Sequence, residues 1–304
     1  MKKSTYSFFL QILKISFAVS IFIYLLKSGK VDFQKVRGAF FDSHWILLSL
    51  FGMGISLFIT TWRWRLLLLS QAIDISFKKS LKLVFIGHFF NIVIPGSVSG
   101  DIAKAYYLSK NAKDKIKTTL SIIIDRFIGL VSLLVIAFFA VLLNYSFIQS
   151  ILPLKVLSHI LILGLGFFLG ALLIFLVKKD FSLSEKWPLF LRRLLQAFWA
   201  YRKCLSVIGQ ASFLTFLNFL VHVIIYYSAV RALGEASLPL SYYFFLLPLG
   251  MFTMALPAYG KPVTVGADMI TVVQMILVCW ALVGLVVYIF HTEKAPQDLA
   301  YEQS

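Results

Sequence analysis

The chain has 304 residues, of which 60% are hydrophobic and only 14% charged, and a mean hydropathy of +0.88. Soluble domains run about 45–50% apolar and about 25% charged, so an ordinary soluble domain is excluded. The formal net charge of +16 lies between apolar runs, which points to anionic lipid head groups and control of topology, not to nucleic acid.

A spanning helix needs about 20 mostly apolar residues. The chain opens on Met1-Lys2-Lys3 and an apolar run from Phe8 to Leu26. A signal peptide begins similarly, but Gln11 and Lys14 interrupt the run and no small-residue cleavage pattern follows, so a retained first span is expected over Phe9–Leu26. The second is expected over Trp45–Thr61 and ends in Thr61-Trp62-Arg63-Trp64-Arg65. Alternating Trp and Arg there read as interfacial anchors, or as contacts for a lipid head group. Leu81–Ile94 is apolar but too short to cross, and it stops at Pro95-Gly96. Further spans are expected over Leu120–Leu143, Leu157–Val177, Phe213–Val230, Tyr242–Leu256 and Met269–Phe290.

Basic loops orient these spans. Lys178–Gln210, with Lys178, Lys179, Lys186, Arg192, Arg193, Arg202 and Lys203, is expected on the cytoplasmic side, and Leu191–Trp199 within it suits a surface amphipathic helix or a plain helical extension. Tyr145–Val156 carries only Lys155 and is expected outside. Ala103–Thr119 and Trp62–Ser80 are both basic, so both flanks of Leu81–Ile94 fall on the cytoplasmic side. Length and charge independently make that segment a re-entrant dip near residues 81–98. Lys27–His44 is basic yet falls outside in this topology. The expected organisation is one polytopic domain over residues 1–291 and a polar tail over 292–304, in the cell membrane.

No G-x-x-x-x-G-K-[ST] loop, H-E-x-x-H or G-x-S-x-G occurs, so no catalytic set is visible and ATP-driven transport by this chain alone is not expected. The five histidines are scattered and two cysteines lie far apart, so neither a metal site, a disulfide nor a cofactor is expected. What remains is polar chemistry inside apolar sequence. The first group is Asn91, Pro95, Gly96, Ser97, Gly100, Asp101 and Lys104. Pro95 and Gly96 let the chain turn at the bottom of the dip, and Ser97 and Ser99 with turn amides suit an anion. Asp101 is expected near a helix N-cap with Lys104 one turn on, on the same face. The second is Asp125-Arg126 inside a span, where a charge costs about 2.5–3.5 kcal/mol. Neighbours on a helix diverge, so each needs its own partner, with Asp101, Lys104 and Arg63 as candidates. The bland alternative is that both reach out to the interface. The third is Pro248 to Asp268, where Pro248, Gly250, Pro257, Gly260, Pro262 and Gly266 break apolar sequence again.

The pattern Asn91…Pro95…Gly100-Asp101…Lys104, followed by Ser121…Asp125-Arg126…Gly129-Leu130, resembles the transmembrane region of lysylphosphatidylglycerol synthases, a region found alone in flippase-like proteins. The likeness covers roughly Phe9 to His291, and the Gly-Asp and Asp-Arg elements together are its specific part. The resemblance implies an all-α membrane fold, usually with eight spans, that carries aminoacylated phosphatidylglycerol across the bilayer after a separate cytosolic domain has made it. That domain is not in this sequence, so a stand-alone transporter-like unit is expected. Lys104 stands where the family more often has Arg, which keeps charge but loses bidentate geometry. After Met254-Ala255-Leu256-Pro257 the chain passes to Ala258-Tyr259-Gly260-Lys261 and Gly266-Ala267-Asp268 without the family's Gly-rich re-entrant stretch and next apolar segment, a shortfall of about 20 residues, or one span.

The expected fold is thus all-α, with about seven spans and one re-entrant dip. The expected function is translocation or binding of phospholipid, with Lys104, Arg126 and Arg63 on the phosphate and Asp101 and Asp125 positioning them. The alternatives are translocation of a polyprenyl-phosphate carrier, or a non-transporting partner of a lipid-modifying enzyme. Membrane phospholipid is the expected partner, with self-association or a separate lipid-modifying enzyme left open.

Overall fold

The computed structural model describes residues 37–40, 43–94, 98–109, 115–143, 145–150, 152–177, 204–234, 240, 243–244, 247 and 263–290. Eight helices are built from them: α1 (Trp45–Ser70), α2 (Phe77–Val93), α3 (Ser99–Ser109), α4 (Lys115–Leu143), α5 (Tyr145–Ser150), α6 (Leu152–Val177), α7 (Leu205–Ala232) and α8 (Val263–Ile289). No strand occurs among the described residues. Four helices are long and apolar enough to cross a membrane: α1, Ile116–Leu143 of α4, α7, and Asp268–Ile289 of α8. The chain is therefore an all-α, multi-pass membrane protein. The expected spans Phe9–Leu26 and most of Tyr242–Leu256 lie outside the described residues, as do most of Lys178–Gln210 and the breaks from Pro248 to Pro262.

The helices overrun the apolar stretches that announced them, because tertiary partners satisfy the polar residues at their ends. α1 continues past Thr61 to Ser70, which corrects the expectation of a loop from Trp62. Trp64, Leu67 and Leu68 are buried there, and Arg65 donates to the Ile75 carbonyl at 2.9 Å. α7 begins at Leu205 and not near Phe213, so the basic segment ends before Gln210. α8 begins at Val263, so Gly266 lies within helix and does not break it. Tyr145–Val156 is not an open loop; it contains α5 and the start of α6.

α1 and α7 run antiparallel and share the most extensive interface. Ser49 Oγ lies 2.6 Å from Ser228 Oγ and 3.2 Å from the Ile225 carbonyl oxygen. Small residues that bring backbones together and hydroxyls that bond across are the usual means of joining helices in lipid, where burial of apolar surface between helices drives little. Gly52 gives close approach at this interface, since a Cβ there would stand 2.9 Å from Ile225.

α2 and α3 form a helical hairpin that packs on α8 through α2 and on α4 through α3. Ser76 caps α2 by accepting from the Lys79 amide at 3.3 Å, so α2 starts four residues before Leu81 and is 17 residues long. On its α8 side, Phe85 stacks on Trp280 and Phe89 on Tyr288, while Trp280 Nε1 donates to the Leu50 carbonyl of α1 at 2.9 Å. His88 Nε2 lies 3.1 Å from the Leu277 carbonyl oxygen.

The hairpin depends on glycine at two facing positions. A Cβ at Gly100 would run into the carbonyl oxygen of Gly87 and stand 2.7 Å from Asn91 Cγ, and a Cβ at Gly87 would stand 3.0 Å from the Gly100 carbonyl oxygen. Gly100→Ala is accordingly expected to force α2 and α3 apart at a cost of about 1–3 kcal/mol, read as a lower melting temperature of the purified protein. An unchanged melting temperature would show that the hairpin absorbs the methyl group elsewhere.

Candidate functional site

Two ion-pair systems meet on α4. Asp125 and Arg126 are consecutive, so their side chains leave the helix about 100° apart and reach different neighbours. Asp125 is 4% exposed. It accepts from Arg63 Nε at 2.8 Å and from Arg63 Nη2 at 3.0 Å. The third guanidinium nitrogen, Nη1, donates to Thr215 Oγ1 at 2.9 Å, and Thr215 in turn donates to the Ala211 carbonyl at 2.9 Å. A planar fork with every nitrogen engaged is the arrangement in which a buried arginine–carboxylate pair recovers its desolvation. It ties α1, α4 and α7 together and is neutral overall. Gly129, one turn along α4, lies beside the fork, and a Cβ there would make only an ordinary contact, 3.7 Å from Arg63 Nη1.

The second system centres on Asp101, which is 5% exposed. Lys104 Nζ, one turn along α3, is 2.7 Å from Asp101 Oδ1, and Arg126 Nε reaches Asp101 Oδ2. Lys104 is itself 8% exposed. Its ammonium stands over the Trp64 ring, 5.2 Å from the centroid, in a cation–π contact with α1. Arg126 differs from the other four ions, because 53% of its side chain remains exposed.

Apolar side chains are exposed on the same two helices, α3 and α4. Ile123, Phe127 and Leu130 are exposed on α4, and Ile102 and Tyr106 on α3. Ile123 and Leu130 stand three and four residues from Arg126 on α4, so they share its helix face. The guanidinium itself meets a buried carboxylate that already carries a second cation.

The structure brings together seven of the ten residues singled out from the sequence and sorts their roles. Arg63 and Asp125 pair with each other; Asp101, Lys104 and Arg126 form the second cluster. Gly100 supplies the close helix crossing. Asn91 accepts from the Gly100 amide at 2.7 Å and lies 3.4 Å from Ser99 Oγ, which also donates to the Phe90 carbonyl at 3.0 Å. The residue capping α3 is therefore Asn91 on the neighbouring helix. Asp101 lies near that cap, in the first turn of α3, which starts at Ser99, and its amide donates to the Val98 carbonyl at 3.0 Å. With its cap supplied from α2, the Asp101 carboxylate is left to the two cations. Neither a surface ion pair nor exposure at the interface describes Asp101, Lys104 and Asp125, since all three are buried. Pro95, Gly96 and Ser97 lie outside the described residues.

Two contributors escaped the sequence reading. Thr215 is one hydroxyl inside a long apolar run, and only an inventory of every polar residue in every span would have raised it. Trp64 was grouped with Trp62 as an anchor, but the two separate: Trp62 is exposed and Trp64 is 0% exposed.

Among the described residues, an all-α multi-pass fold with the buried Arg63–Asp125 pair and the Asp101–Lys104–Arg126 cluster defines a class of membrane protein with ions between its helices. The model of the lysylphosphatidylglycerol synthase TM region matches residues 11–267, and the chain belongs to that family. A UPF0104 membrane protein, PH1989, from Pyrococcus horikoshii is 28% identical over 151 residues, which cover 49% of this chain and 43% of the relative. The match to that relative therefore spans less than half of its length.

Proposed function

We propose that the protein holds a phospholipid by its phosphate and passes the head group across the cell membrane. One observation carries this reading: Lys104 and Arg126 share the single carboxylate of Asp101, and Arg126 leaves half of its side chain exposed. Two cations converge on one carboxylate, and a phosphate arriving with acyl chains attached meets a half-exposed guanidinium on a helix that also exposes apolar side chains. The chains stay against Ile102, Phe127 and Leu130 while the head group reaches the cation. Exchange of this kind down a gradient needs no nucleotide. Arg63 and Asp125 take the role of a strut, because the fork between them already uses all three guanidinium nitrogens. The family's description names lysylphosphatidylglycerol, which makes aminoacylated phosphatidylglycerol a candidate lipid.

Scrambling of fluorescent lipid in liposomes reconstituted with the purified protein tests the reading. Arg126→Gln removes the outward charge without touching the Arg63–Asp125 strut, and a lost hydrogen bond to a charged group predicts a rate about tenfold lower or more. A wild-type rate at background across phosphatidylglycerol, phosphatidylethanolamine and phosphatidylcholine would sink the idea. So would an Arg126→Gln variant as fast as wild type. Mass spectrometry of co-purified lipid separates a phospholipid from a polyprenyl phosphate, which shares the phosphate chemistry.

A further inference from the structure

Trp64 is wholly buried, yet its indole N–H has no hydrogen-bond partner among the described residues. A buried donor without an acceptor forfeits its hydration, so such groups are rare and mark a place where something is missing. The nearest ionic groups narrow what is missing. The Lys104 ammonium stands over the same indole ring. Both oxygens of Asp101 are ion-paired, Oδ1 with Lys104 at 2.7 Å and Oδ2 with Arg126, although Oδ1, like the indole N–H, has no well-directed hydrogen bond among the described residues. An acceptor that joined Trp64 here would lie beside a cation whose own carboxylate is shared with another cation. That environment favours an anionic oxygen over a neutral one.

We infer that Trp64 Nε1 and Lys104 Nζ form an inner anion site that takes a phosphate oxygen, set behind the outer cation Arg126. The inference rests on the phosphate reading above and deepens it, by giving the head group a second, occluded station. Asp101 links the stations, since it holds Lys104 with one oxygen and Arg126 with the other. A phosphate drawing Arg126 away from Asp101 leaves that carboxylate to Lys104, and one settling beside Lys104 returns the carboxylate to Arg126. The outer station is open to lipid. At the inner one, Trp64 is 0% exposed and Lys104 8%, so occupancy requires α3 to shift relative to α1 or α4. The indole N–H then selects for an acceptor, where a phenyl ring of similar outline would offer only the cation–π contact.

The test compares wild type, Trp64→Phe, Lys104→Gln and Arg126→Gln in nanodiscs. The melting temperature is followed by circular dichroism as dioleoyl phosphatidylglycerol replaces dioleoyl phosphatidylcholine, and a separate arm adds inorganic phosphate to protein in detergent. In phosphatidylcholine alone, Trp64→Phe is expected to melt at the wild-type temperature or above, because the substitution removes an unpartnered donor. With phosphatidylglycerol, wild type should gain stability, and Trp64→Phe should need about tenfold more of the lipid for half the gain. Lys104→Gln should lose the gain as well, which keeps the test informative if one variant folds poorly. A Trp64→Phe protein with the full lipid-dependent gain overturns the inner site. If Arg126→Gln keeps the gain while Trp64→Phe loses it, the inner site stands and the outer role of Arg126 fails. A gain from inorganic phosphate as large as that from the lipid overturns the lipid as the source of the anion.

Discussion

Asp125→Ala is expected to destabilise the protein by about 3–5 kcal/mol, the usual cost of removing one partner from a buried ion pair. Arg63 would be left inside the bundle with a full charge and only Thr215 Oγ1 to receive it. The loss has little to do with the net worth of the pair, which is small once both desolvation costs are counted. The double variant Arg63→Met, Asp125→Leu should therefore melt closer to wild type than either single variant. A thermal melt of all four proteins in one detergent gives the cycle directly. If the double variant loses the sum of the single effects, Arg63 and Asp125 act independently and the strut is misassigned. Scrambling by the double variant, measured beside it, should stay near wild type, since neither group is given contact with lipid.

Asp101→Asn should carry the second large effect, and with a different signature. The change keeps the shape of the side chain but leaves the buried Lys104 ammonium without its anion. A loss of about 3–5 kcal/mol is again expected from the buried partner. Arg126, half exposed, contributes little of that because water or lipid can solvate it. The two cations would then face any arriving phosphate with no carboxylate competing, so anionic lipid should replace the missing charge. In nanodiscs, phosphatidylglycerol should raise the melting temperature of Asp101→Asn by more than it raises that of wild type. Equal gains, or a smaller gain for the variant, would show that Asp101 does not hold these cations at a phosphate site.

Much of this site could be read from residue types alone. Asp101, Lys104, Asp125 and Arg126 stand out because charge inside apolar sequence is costly and must be explained. Their pairing was open in the sequence, since three groups competed as partners for Asp125 and Arg126. Helix geometry separates two consecutive residues but says nothing about which helix lies opposite each. Thr215 shows the same limit more sharply. One hydroxyl in an apolar span raises no alarm until an arginine from α1 is found beside it. Asn91 was noticed as part of the break before Gly100, yet its task as the cap of the next helix depends on α2 and α3 folding back upon each other.

An all-α membrane protein with charged residues set inside apolar sequence was legible from the amino acids alone. Hydropathy and span length follow from local composition, and a buried charge is costly wherever the chain goes. Tertiary contacts set how those ions divide into a buried pair at Arg63–Asp125 and a cluster at Asp101 in which Arg126 is half exposed. That division depends on which faces of α1, α3, α4 and α7 meet. Contacts between helices distant in the chain set those faces, through close approaches at Gly52, Gly87 and Gly100 that spacing within one helix does not encode.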